Sequence, residues 1–170
     1  MIAVFAGILG NLFDGIGSDW WQRKTGQGRP MFLFWVLLIL LPIGLAYRLV
    51  SPDSIWFWVG ATAGFFQLGT LYGPTFSTVQ ELAPPRIRAS IVAVYILGLN
   101  FIGLGTGSTF GGYLIDRLRE AQVEQPYTWM LMIFTVMSAI AIPHFYLAGR
   151  RFKQDRTRLY AYEEINELSI

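Results

Sequence analysis

The sequence predicts an all-α, polytopic transmembrane helix bundle with four complete spans and a partial one at the N-terminus. Three observations carry this. Of 170 residues, 54% are hydrophobic and only 14% charged, against about 25% charged in an average globular chain. Mean hydropathy is +0.45. The charges that do occur are clustered, and the gaps between clusters are long enough to cross a bilayer.

Residues 30–47 form a charge-free run of 18, residues 54–80 and 89–115 runs of 27, and residues 125–149 a run of 25. Roughly 20 apolar helical residues cross the hydrocarbon. These runs predict spans over about 31–50, 54–80, 89–115 and 127–149, with Arg48 snorkelling to the interface. Wholly helical, each 27-residue run would be about 40 Å long, so it must tilt, bend or project beyond the lipid. Residues 1–18 are apolar but short and Gly-rich, without the basic start of a signal peptide. We read them as the tail end of a helix whose beginning is missing. Residues 1–149 are then the bundle and 150–170 a tail.

Orientation follows from Lys and Arg. Ten of the 13 fall in segments 18–29, 81–88 and 150–170, and three (Arg48, Arg117, Arg119) on the other side. The first set should be cytoplasmic, in an integral protein of the plasma (inner) membrane. Trp20, Trp21, Phe145 and Tyr146 would line the inner interface. Tyr47, Trp56, Trp58, Tyr127 and Trp129 would line the outer one. The tail begins basic, suited to lipid headgroups, and ends acidic with Glu163, Glu164 and Glu167.

Two kinds of helix are expected. Residues 31–47 and 130–142 are almost wholly apolar and read as lipid-facing. Spans 54–80 and 89–115 carry the polar groups, among them Gln67, Thr70, Tyr72, Tyr95 and Asn100, the candidate cavity-lining residues. The amides of Gln67 and Asn100 must face another helix or a watery cavity, because uncompensated polar groups are costly in hydrocarbon. Gly103, Gly107 and Gly111 recur every four residues, as do Gly60 and Gly64, a spacing that lets helix backbones approach. Gly73-Pro74 predicts a kink. These glycines and Pro74 are the expected packing or hinge positions.

The sequence offers little for catalysis, and no enzyme is expected. It has no cysteine and one histidine, His144, so neither thiolate chemistry nor a resident metal or cofactor is implied. Gly103-Leu-Gly-Thr-Gly-Ser lacks the spacing of a dinucleotide-binding loop and lies inside a span. A net charge of +2 is no argument for nucleic acid. Asp14 is an ionisable group within a span, which makes it a candidate proton carrier; a shallow, hydrated position is the other reading.

The remaining signal is charge at one end of the bundle. Gly15-Ile-Gly-Ser-Asp19 is followed by Arg23, Lys24 and Arg29. Gln80-Glu81-Leu-Ala-Pro84-Pro85-Arg86-Ile-Arg88-Ala89-Ser90 joins two spans. Opposite charges at helix ends in a semi-dry interface attract more strongly than on an open surface. A cluster of Asp19, Glu81 and Arg88, with Arg86 beside it, would hold three helix ends together in one state. Alternatively, Arg86 and Arg88 merely obey the positive-inside bias and contact anionic lipid.

These motifs, with the glycine-rich helix ending Gly111-Gly112-Tyr-Leu-Ile-Asp116, resemble the C-terminal half of major facilitator superfamily transporters. The second motif and Asn100-Phe-Ile-Gly-Leu-Gly are similar to the spinster-like branch. Trp20 stands where that family usually has Arg after the Asp. Gly10 with Asp14 offers a second register for the same offset. The resemblance implies a secondary transporter of small molecules working by alternating access, with a cytoplasmic latch. It makes residues 1–149 the eighth to twelfth helices, the ninth and twelfth peripheral. Partners would be the lipid bilayer, the missing N-terminal helices and an unknown small-molecule substrate. Alone the chain would not transport. The alternative is a small multi-pass scaffold or a truncated partner-binding protein.

Overall fold

The computed structural model describes residues 1–168, with side chains through Tyr162. The side chains of Glu163, Glu164 and Glu167 therefore lie outside the described residues. All the described regular structure is helical.

Helix α1 (Ile2–Thr25) runs past the expected end near residue 18. Nothing between Asp19 and Thr25 breaks a helix, and Arg23 and Lys24 suit its negative C-terminal end. Gly26, with φ 69°, ends it in the left-handed conformation that glycine adopts without strain. Helix α2 (Arg29–Ala46) has Pro30 in its first turn, where no N–H is needed, and closes in a 3-10 turn at Tyr47–Leu49. Helix α3 (Ile55–Thr70) is capped by the Ser54 hydroxyl, which accepts from the Trp56 N–H at 3.3 Å. Helix α4 (Tyr72–Glu81) follows across a break at Leu71. Pro74 lies in its first turn and cannot supply the N–H that would join the two helices.

Helix α5 (Arg88–Gly98), a π-helical stretch (Leu99–Thr106) and α6 (Gly107–Glu120) form one rod. Helices α7 (Pro126–Ala139) and α8 (Ile142–Leu168) form another, jointed at Ile140–Ala141. Four helical stretches are long and apolar enough to cross a membrane: Ile2–Thr25, Arg29–Leu49, Arg88–Glu120 and Pro126–Tyr162. This is a membrane protein. Residues 54–80, expected as one span, are α3 and α4 with the break between them. The N-terminal stretch, expected as partial, is a helix of 24 residues.

The interior follows the ranking by composition only in part: α7 has no buried residue, as expected of a lipid-facing helix, and α3 and α4 line the interior, but α2 and the rod Arg88–Glu120 exchange places. Apolar α2 is the hub, touching α1, α3, α4, α7 and α8. Its Met31, Phe32, Leu33 and Leu37 make up half of the buried apolar side chains among the described residues. The polar-bearing rod Arg88–Glu120 has none of its most apolar stretch buried. It meets α4 through α5 and α7 through α6. An apolar side chain is equally at home against lipid or another helix, so composition alone does not say which helix sits inside.

Candidate functional site

Three helix ends converge on Arg29. Its Nε donates to Asp19 Oδ1 at 2.8 Å and its Nη1 to Glu81 Oε1 at 2.7 Å. Gln22 Nε2 donates to the second Glu81 oxygen at 3.2 Å. Asp19 and Gln22 come from α1, Arg29 opens α2 and Glu81 closes α4. The Arg29 side chain is 16% exposed, against 46% for Asp19 and 29% for Glu81. The guanidinium suits this task because its planar fork offers separate N–H groups to two carboxylates, which a lysine ammonium does not.

Arg29 is held in place by close backbone packing. The Gly28 N–H donates to the Gly149 carbonyl at 3.2 Å, joining the start of α2 to α8. A side chain at Gly28 would strike Phe152, and one at Gly149 would strike the backbone of Met31. Two glycines thus set where the guanidinium stands.

Of the expected latch residues, Asp19 and Glu81 are brought together. Arg88 is not their partner: it donates to the Ala83 carbonyl at 3.5 Å. It lies at the rim, lining a polar cleft of about 290 Å³ with Arg29, Ser77, Gln80, Glu81 and Tyr160. Arg86 joins none of the ion pairs among the described residues. Sequence reasoning placed Arg29 in the loop but not in the cluster. Its position beside Pro30, at the first turn of a helix, was the available signal.

A cavity of about 440 Å³ lies between α2, α3, α4, α5, α7 and α8. Gln67, Tyr72 and Tyr95 line it together with Thr75 and Ser138, among leucines and Phe145. Among the described residues no charged side chain lines it. Tyr72 stacks on Phe76 (6.3 Å between ring centres), and Phe76 meets Tyr95 edge-on at 5.2 Å, tying α4 to α5. Thr70 and Asn100 stay outside. Thr70 is wholly buried and donates to the Gln67 carbonyl at 2.8 Å. Asn100 is exposed and turns its amide back to the Ile96 carbonyl at 2.8 Å, one turn earlier in its own helix. This local bond engages one N–H of the amide within its own helix, where the sequence reading called for another helix or a watery cavity.

The hinge and packing glycines divide. Gly111 touches the Phe134 ring, a side chain there lying 3.5 Å from it, but Gly103, Gly107 and Gly64 face open space. Gly60 is covered by Tyr47. The closest backbone approach is elsewhere, between Gly10 and Phe66 and between Gly69 and Gly7, where α1 crosses α3. Gly73 and Pro74 do mark the α3–α4 break, and Gly73 accommodates the Asp14 carboxylate. Asp14 is wholly buried rather than hydrated. His144, in the first turn of α8, lies 3.0 Å from the Ile140 carbonyl through its Nδ1. Arg48 does more than snorkel: its Nη1 donates to the Leu131 carbonyl at 2.7 Å and to the Thr135 hydroxyl, joining the 3-10 turn after α2 to α7.

No protein-family model matches the chain, and no curated protein matches it significantly.

Proposed function

We propose that this bundle belongs to a secondary transporter of small molecules working by alternating access, of the major facilitator type and resembling the C-terminal half of its spinster-like branch. The observation that carries the reading is the double ion pair of Arg29 with Asp19 and Glu81, which ties α1, α2 and α4 at one end. Such a cluster is a two-state element: it is made when the helix ends meet and lost when they part, so anything that separates them must supply the difference. With the Lys and Arg bias, it lies on the cytoplasmic face of a plasma (inner) membrane, with 18–29, 81–88 and the C-terminus. It acts as a latch that closes the cytoplasmic side. The uncharged cavity carrying Gln67, Tyr72 and Tyr95 supports binding of a small molecule at membrane depth. Further transporter helices would cover the rod Arg88–Glu120, whose Gly103 and Gly107 face open space among the described residues.

The test uses the absence of native cysteine. A single Gln67→Cys in proteoliposomes should react faster with a membrane-impermeant thiol reagent from the cytoplasmic side once Arg29→Ala is added. Unchanged reactivity would remove the latch. The exposed glycine face of the rod also suits a multi-pass scaffold that binds partner helices. Substrate-dependent protection of the introduced thiol favours the transporter, and protection by a membrane partner alone favours the scaffold.

A further inference from the structure

The buried positions of α1 are Ala6, Gly10, Asp14 and Ser18. They recur every four residues and so share one face. Three are small and uncharged. The fourth is a carboxylate with no exposed surface, and neither of its oxygens has a hydrogen-bond partner among the described residues. It points at the first turn of α4: a methyl placed on Gly73 would stand 3.0 Å from Asp14 Oδ2. Pro74 follows, fully buried and without an N–H to offer.

No positive charge answers it. On α1 itself the nearest titratable group along the chain is Asp19, a like charge. From α2 the only charge is Arg29, engaged with Asp19 and Glu81. Helix α3 has no titratable residue. Helix α4 has Tyr72, which is exposed, and Glu81, which is held by Arg29. An ionised carboxylate shut away with neither donor nor counter-charge among the described residues is strongly disfavoured, and a proton is the smallest ligand that neutralises it.

We propose that Asp14 is a proton-binding site that governs the α1–α4 seam at Gly73-Pro74. With the seam closed, the side chain is the neutral acid. When the seam opens, water reaches the carboxyl, the O–H bond breaks and the proton passes to water, leaving a hydrated carboxylate. Closing requires a proton from water to return to the same oxygen. The inference stands on this helix contact alone and holds whether or not the chain carries cargo.

The test is made on the full chain in lipid nanodiscs. Cysteines replace Ile16 and Gln80, both exposed, and each carries a spin label. The expected result is a narrow, short label–label distance in acid and a longer, broader one in alkali. Asp14→Asn, which mimics the protonated form, should hold the short distance at both. In infrared difference spectra, a protonated-carboxyl band present in the parent chain should vanish in Asp14→Asn. A pH-independent distance in the labelled parent overturns the proposal, as does a pH response that survives Asp14→Asn. So does a shift driven by sodium at constant pH. The parent titration keeps Asp14 unsubstituted, so misfolding of the Asn variant would not shield the proposal.

Discussion

Arg29 Nη1 lies 2.7 Å from Glu81 Oε1, a contact between the first residue of α2 and the last of α4 across 52 residues of chain. The same guanidinium holds Asp19 at 2.8 Å, so one side chain joins three helices. Removing it strands two carboxylates. Arg29→Gln should cost about 1–3 kcal/mol of stability, the range for charge-assisted bonds at part-buried sites. Arg29→Lys should recover less than half, because an ammonium lacks the fork. Thermal unfolding in detergent measures both, and a double-mutant cycle with Glu81→Gln isolates the pair. Equal stability of the Lys variant and the parent would show that point charge alone suffices.

The glycines predict opposite responses to one added methyl. Gly10→Ala and Gly69→Ala drive a Cβ into the backbone of the facing helix and should destabilise by about 1–3 kcal/mol, as overpacking does. Gly103→Ala and Gly107→Ala meet open space. In the isolated chain they should be neutral or stabilising by about 0.5–1 kcal/mol, since alanine is the better helix former. Loss of stability in the second pair would show that the face is already occupied, by a partner or a second copy.

Gly73 and Asp14 should be energetically coupled. Gly73→Ala crowds the Asp14 carboxylate at 3.0 Å and should lower stability by about 1 kcal/mol or more. In an Asp14→Ser background the same change should cost little, because the crowding atoms are gone. Additive effects in the cycle would separate the two positions.

Topology follows from α2 crossing once. Single cysteines at Gln27 and Ser51, in a chain with none of its own, should label from opposite sides of the membrane, Gln27 from the cytoplasm. Labelling of both from one side would remove α2 as a crossing helix and overturn the orientation drawn from Lys and Arg.

Much of the site was legible residue by residue without its pairings. Asp19 and Glu81 stand out as acids at the ends of apolar runs, and Gly73-Pro74 announces a break. The choice of Arg29 over Arg88 was not legible. Both are basic residues opening a helix, and only the docking of Gly28 on Gly149 brings one of them between the acids. The pairing of Gly10 and Gly69 was likewise hidden, because they lie far apart in the chain and glycine spacing along one helix does not say which helix it meets.

By itself the sequence determined that this chain is helical and bilayer-crossing, because unpaired backbone groups and frequent charges are both too costly in hydrocarbon for apolar runs of this length to do otherwise. Only the tertiary structure decided that apolar α2 is the hub, that Asn100 turns back on its own helix and that Asp14 is sealed against Gly73. The reason is that lipid and protein interior are nearly equivalent surroundings for a leucine. Which face turns inward is settled by backbone approach and a few polar contacts between distant residues, and linear order does not record them.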